Sequence, residues 1–253
     1  MTVPPANDHE VAAAVAAEAG RALLAVRAER TDLDGPALKD LGDRISHELI
    51  TRLLAERRPD DAVLSEEGAD DKARLAARRV WIVDPLDGTR EFSERPRDDW
   101  AVHVALWEDG DLVAGVVGLP ARELVHRMDR PVPLPPRPDG PVRLAVSRSR
   151  PPAFVVELAE RLGAELVPMG SAGVKAMAVL DGTVDAYVHA GGQYEWDSAA
   201  PVAVAIGHGL APTRVDGSAL EYNRDNPWLP DLVVARPEVL GVVRRALDDL
   251  GTL

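Results

Sequence analysis

The segment Arg79-Val80-Trp81-Ile82-Val83-Asp84-Pro85-Leu86-Asp87-Gly88-Thr89 limits the fold more than any other stretch of the chain. Its apolar run reads as a buried strand, and it stops abruptly at two carboxylates three residues apart. The proline between them fixes φ, so the turn that carries Asp84 and Asp87 is stiff. Two acidic oxygens held beside backbone donors suit a hard divalent cation and a phosphate in the same place. The segment therefore points to metal-dependent phosphate-ester chemistry.

The elements around it can be read from periodicity. Val11, Val15, Ala19, Leu23 and Val26 recur at helical spacing from Val11 to Arg30, and the stretch Thr31 to Pro36 ends that helix. A second helix is expected from Asp43, taken as its N-cap, to Arg57, with Ile45, Leu49, Ile50, Leu53 and Leu54 on one stripe. Ala62-Val63-Leu64 is a short strand that delivers Ser65-Glu66-Glu67. Trp100 to Trp107 and Leu112 to Leu119 form a strand pair around the turn signal Glu108-Asp109-Gly110-Asp111. Six prolines between Pro131 and Pro141 mark a linker. Beyond it, strands (Val142–Val146, Val184–His189) alternate with helices (Pro151–Leu162, Val174–Leu180, and Asp197–Gly207 with Pro201 in its first turn). The expected division is an N-terminal α+β half, residues 1–140, and a C-terminal α/β half, residues 141–253.

Composition narrows the function classes. With 46% hydrophobic but only 4% aromatic residues, Leu, Val and Ala must fill the core. A formal net charge of −13 repels a polyphosphate backbone and argues against nucleic-acid binding. A small anionic substrate stays admissible if metals neutralise the site. The chain has no cysteine, which excludes disulfides, thiolate-zinc sites and Cys nucleophiles, and fits a cytoplasmic protein. Met1 to Glu10 is polar without a basic leader region, and no apolar run approaches the ~18 residues of a membrane span.

Five acids sit at the ends of predicted elements: Asp43, Glu66, Asp84, Asp87 and Asp197. Singly, Asp43 or Asp197 also reads as a helix N-cap or a solvated turn carboxylate. If the five converge, two or three Mg²⁺ ions would take their oxygens. Glu66 would hold one metal and orient the attacking water, Asp84 would bridge two, and the Leu86 carbonyl would add a ligand. Asp87 and Asp197 would hold the second metal. The N–H groups of Gly88 and Thr89 would bind a phosphate oxygen, especially at a helix start. The Thr89 hydroxyl would accept from the water and pass its own proton to Asp43.

Two motifs carry a resemblance. Trp81-Ile82-Val83-Asp84-Pro85-Leu86-Asp87-Gly88-Thr89 and Glu195-Trp196-Asp197-Ser198-Ala199-Ala200-Pro201, with Leu64-Ser65-Glu66-Glu67 before them, resemble the lithium-sensitive inositol monophosphatase superfamily. Thr89-Arg90-Glu91-Phe92, Gly170-Ser171-Ala172-Gly173-Val174-Lys175-Ala176 and Val146-Ser147-Arg148-Ser149-Arg150 look like its 3′(2′),5′-bisphosphate nucleotidase branch, of the actinobacterial type. The resemblance implies a layered αβαβα sandwich of the sugar-phosphatase fold. It also implies Mg²⁺-dependent removal of the 3′-phosphate from 3′-phosphoadenosine 5′-phosphate, as in sulfate assimilation, by a monomer or homodimer. Substrate contacts are implied at Ser147, Arg150, Gly170, Ser171, Lys175 and Glu195, with Lys175 and Arg150 suited to a second phosphate. One departure stands out: Asp40 occupies a position where the family carries Thr.

Two alternatives share these motifs, namely an inositol or fructose-bisphosphate phosphatase of relaxed specificity and a non-catalytic metal or nucleotide sensor. The six histidines lack metal-ligand spacing, so His47 and His103 read as packing or surface residues. Asp98-Asp99 reads as a charged turn, and His189 before Gly191-Gly192 as a weak candidate for substrate contact.

Overall fold

The computed structural model describes residues 7–251, so most of the polar opening stretch Met1–Glu10 and the last two residues of the second half lie outside it. α1 spans Asp8–Glu29 and is capped by Asn7, whose side chain accepts from the Glu10 N–H at 2.8 Å. α2 spans Gly35–Arg57, which corrects the expected start at Asp43. Pro36 sits in the first turn, where a missing N–H is harmless, and buried Leu38 continues the apolar stripe backwards. Asp43 is thus a residue of the helix interior and caps nothing.

β1 (Ala62–Ser65), β2 (Arg79–Asp87), β3 (Ala101–Glu108), β4 (Asp111–Leu119) and β5 (Leu124–Arg127) form one sheet in that order. β1 lies parallel to β2 and the other pairs are antiparallel. Asp109 and Gly110 both take positive φ, as a two-residue hairpin turn demands. The short helix α3, Thr89–Ser93, follows β2 directly. Residues 131–141 carry no helix or strand and are tied down by Arg236, which donates to the Pro135 carbonyl at 2.5 Å.

The second sheet has the order β7-β6-β8-β9, from β6 (Arg143–Ser147), β7 (Glu165–Met169), β8 (Ala186–Tyr194) and β9 (Trp228–Ala235). Its helices are α4 (Ala153–Leu162), α5 (Ala172–Leu180), α6 (Glu195–Gly207) and α7 (Pro237–Leu250). α6 begins two residues earlier than expected, so Pro201 lies inside the helix beyond its first turn. Having no N–H, Pro201 leaves the Asp197 carbonyl without its helical donor. β5, β7, β9 and α7 are elements the periodicity did not mark.

Strand alternation sorts side chains into three cores. Trp81, Val83, Val102, Val104 and Val116 pack on α1 and α2. Val80, Ile82, Ala101, Ala105 and Val117 face the other way, onto α5 and α6, which also cover Tyr187, Leu232 and Val234 of the second sheet. Leu144, Val146, Ala186, Val188, Val233 and Ala235 pack on α4 and α7. The result is a five-layer αβαβα sandwich with α5 and α6 as its shared middle layer, as the sequence led us to expect.

Candidate active site

The face of β2 that carries Val80 and Ile82 into the middle layer ends in Asp84, so the strand's alternation aims this carboxylate at α6. The ladder with β3 is irregular between Asp84 and Asp87, which frees the turn to carry two inward acids. Two bonds hold that turn. Ser46 of α2 donates to the Pro85 carbonyl at 2.7 Å, and the Leu86 N–H donates to Asp84 Oδ1 at 3.0 Å. Gly88 has φ +85°, and a Cβ there would stand 3.2 Å from the Asp99 carbonyl oxygen and 3.3 Å from Trp100 Cα. Only glycine fits that approach, and α3 begins at the next residue.

α6 brings in Asp197 at its third position, where the carboxylate accepts from the Tyr194 N–H at 2.7 Å. Asp84, Asp87 and Asp197 each present an oxygen, and the three lie within 4.8 Å of one another. Parallel pairing of Ser65 with Val83 sets Glu66 level with Asp84, and the two carboxyls hydrogen-bond each other. Glu66 itself is exposed, at the edge of the cluster.

Electrostatics divides these acids. Burial, then Asp197, raises Glu66 to about 7, while burial, then Asp87, raises Asp197 to about 6. Buried Asp84 is pushed well above the carboxylate range by burial and by Glu66, Asp87 and Asp197. Asp87 goes the other way. Burial pushes it up, but His103, Lys175 and Ser171 outweigh that and hold it below the usual range. Its carboxylate accepts from Ser171 Oγ (2.5 Å), the Gly173 N–H (2.7 Å) and the Ala172 N–H (3.1 Å). An all-oxygen cluster in which Asp87 is held ionised while Asp84, Asp197 and Glu66 resist giving up their protons beside it is a donor set that a hard divalent cation would neutralise.

Among known proteins, the chain matches the description "Inositol monophosphatase family" over residues 7–132 and 139–246. The chain belongs to the inositol monophosphatase family. The break in the match falls in the proline-rich connection. The chain is 51% identical over 241 residues to a 3′-phosphoadenosine 5′-phosphate phosphatase of Mycobacterium bovis, covering 92% of this chain and 90% of the relative. A protein of the same name from Mycobacterium leprae is 49% identical, covering 94% of each. The 3′(2′),5′-bisphosphate nucleotidase CysQ of Salmonella typhimurium is 29% identical over 74% of this chain and 80% of its own. A crystal structure of CysQ from Bacteroides thetaiotaomicron superposes with a TM-score of 0.78 at 27% identity, covering 90% of this chain and 96% of that one.

The other residues expected from the sequence are placed unevenly around this inositol monophosphatase-family site. Asp43 lies on α2, raised to about 7 by burial and then by Glu67 and Asp40. It is outside the acidic triad and not hydrogen-bonded to Thr89 among the described residues. Its neighbour Gly42 packs on Leu86 and Phe92 with no room for a Cβ, which keeps α2 against the turn of Asp84 and Asp87. Asp40 is exposed. Gly170 is pressed against Glu91, and Ser171, at φ +53°, caps α5 by accepting from the Val174 N–H at 3.0 Å. Lys175 is buried, donates to the Ser171 carbonyl at 2.6 Å, and lies over the Tyr187 ring. Ser147 and Arg150 line a cavity of about 640 Å³ with Phe154, His189, Gly191 and Gly192. Glu195 is turned away from the triad's oxygens. Its carboxylate accepts from the N–H groups of Asn223 (2.7 Å) and Arg224 (2.8 Å).

Two residues read from the sequence as bland are part of this site. His103 is fully buried, with Nε2 3.2 Å from Asp87 Oδ2 and Nδ1 3.1 Å from the Trp196 carbonyl. Burial lowers its pKa, yet Asp87 outweighs burial and raises it. It thereby ties the first motif to the second. Asp99 accepts from the Gly170 N–H at 2.7 Å and pairs with Arg97. The signal for His103 was available: it is the one polar side chain in the apolar run Ala101–Trp107.

Proposed function

We propose that this protein is a Mg²⁺-dependent phosphoric monoester hydrolase that removes the 3′-phosphate of 3′-phosphoadenosine 5′-phosphate, giving AMP and phosphate. The observation that carries the substrate is the identity of about half over nine-tenths of both chains to phosphatases of that name. The observation that carries the chemistry is the triad of buried Asp84 and Asp87 with half-buried Asp197.

In this reading residues 1–140 present Glu66, Asp84, the Leu86 carbonyl and Asp87 to two or three Mg²⁺ ions, and residues 141–253 present Asp197. Bound magnesium supplies neutralising charge and a more acidic water. The protein's own groups do the rest. The N–H groups of Gly88 and Thr89, at the start of α3, bind a phosphate oxygen. The Thr89 hydroxyl accepts from the attacking water and passes its own proton to Asp43, raised to about 7, the two side chains drawing into contact when substrate binds. Glu66 orients the water, His103 fixes Asp87, and Ser147, Arg150, Gly170, Ser171 and Lys175 shape the substrate side, while Glu195 acts structurally through Asn223 and Arg224. The cysteine-free chain, none of whose described helices is long and apolar enough to cross a membrane, suits a cytoplasmic role in sulfate assimilation as a monomer or homodimer. Inhibition by lithium is expected.

Phosphate release from 3′-phosphoadenosine 5′-phosphate, inositol 1-phosphate and fructose 1,6-bisphosphate at equal Mg²⁺ tests the assignment. The nucleotide should show the highest kcat/KM, and a higher value for either of the others would sink it.

A further inference from the structure

Aromatic side chains are scarce in this protein, and among the described residues only two are exposed: Tyr194 at 42% and Trp228 at 45%. They are direct partners across β8 and β9, with ring centroids 5.6 Å apart at 82°. Tyr194 also stacks on half-buried Trp196, 4.8 Å away and 9° from parallel. The three rings make one ledge, and it begins at the site. Tyr194 is the residue whose N–H holds the Asp197 carboxylate, and the Trp196 carbonyl is the one that holds His103.

The ledge is built into the backbone. Gly192 has φ +91°, and a Cβ there would fall 1.7 Å from the Trp228 ring, so the indole lies directly on the β8 main chain. Beyond Trp228 opens a cavity of about 660 Å³ whose lining includes Arg214, Ser218, Arg224 and Asn226. Core packing does not account for large apolar rings left open to water beside a polar cavity. Flat apolar faces flanked by hydrogen-bonding side chains match a nucleobase, which offers a π-face to stack and a polar edge to pair.

We propose that Tyr194 and Trp228 form the nucleobase subsite, where the purine of a nucleotide bisphosphate stacks while its 3′-phosphate lies at the acidic triad. This rests on the nucleotidase reading above. It assigns specificity to the rim of β8 and β9, separate from the phosphate-directed side at Ser147 and Arg150.

The test compares kcat/KM for 3′-phosphoadenosine 5′-phosphate with that for inositol 1-phosphate, which has the ester but no base. In Trp228→Ala and Tyr194→Ala the nucleotide-to-inositol ratio should fall about 5- to 100-fold, mostly through KM for the nucleotide. Trp228→Tyr should recover most of the ratio because any aromatic face serves. Trp228→Leu, which keeps apolar bulk on Gly192, should not. An equal loss on both substrates in all variants, or an unchanged ratio, overturns the subsite while leaving the nucleotidase reading in place. A wild-type enzyme without preference for the nucleotide overturns the reading and the subsite together.

Discussion

At the scale of single residues, the site depends on charges that cannot be replaced and on spaces that cannot be filled. Asp84 is the most enclosed of the acids and stands between Glu66 and the other two, so Asp84→Asn removes the central charge at little cost in shape. We expect kcat for phosphate release at saturating Mg²⁺ to drop more than about 100-fold, beyond the loss typical of residues that only support a ligand. Near-normal turnover of the folded variant would refute the metal scheme. Gly173 makes the complementary case. A Cβ there would come within 2.1 Å of His103 Nε2, and its N–H already serves Asp87. Gly173→Ala should destabilise the fold by about 1–3 kcal/mol in urea titrations and lower activity with it, because His103 must shift to make room. Unchanged stability would mean that His103 does not need its present place.

At the scale of elements, the chain is stapled across the site by a buried arginine. Arg74, 1% exposed and in the short 3₁₀ turn Lys72–Ala76, donates to both Asp70 oxygens, to Asn223 Oδ1 at 2.7 Å and to the Arg224 carbonyl at 2.9 Å. Asn223 and Arg224 in turn cap Glu195, the first residue of α6. The loop after Glu66 is thereby clamped to the helix that carries Asp197. Arg74→Met should cost about 2–4 kcal/mol, somewhat less than a fully buried pair because Asp70 keeps contact with water. It should also raise the Mg²⁺ concentration for half-maximal activity. An unaltered metal requirement would separate the clamp from the site. This clamp shows where the sequence stops being legible. α1 and β1 to β4 follow from local periodicity, because each buries a continuous face. The start of α2 was obscured because Asp43 offers a good cap, and β9 because Pro230 and Asp231 interrupt its apolar run. The acids themselves were legible at element ends. Their partners were not, since Ser171 meets Asp87 across 84 positions and Arg74 meets Asn223 across 149.

At the scale of the whole molecule, the acidic site opposes folding of the metal-free chain, and a bound cation would relieve it. Glu66 and Asp43 are raised to about 7, Asp197 to about 6, and Asp84 upward as well. The metal-free folded state therefore holds protons that the unfolded chain has already released, and its stability falls as pH rises from about 4 through 7. Asp87, held low, contributes in the opposite sense, but its share is already complete above about pH 4. Differential scanning calorimetry of metal-free protein should show Tm decreasing between pH 5 and pH 8, and the gain in Tm from Mg²⁺ should be larger at pH 8. A metal-free Tm that rises across this window would contradict the raised carboxyls. The middle layer of the sandwich has a further consequence during synthesis. Sheet one emerges from the ribosome well before α5 and α6, which must cover its inner face, so a half-made chain exposes Val80, Ile82, Ala105 and Val117. The inner face of sheet one is covered only once α5 and α6 dock, and α6 is also the helix that brings in Asp197, the last of the triad in chain order. The helix that completes the acidic cluster is thus the same one that closes the inner face of sheet one, so a chain stalled before α6 lacks both.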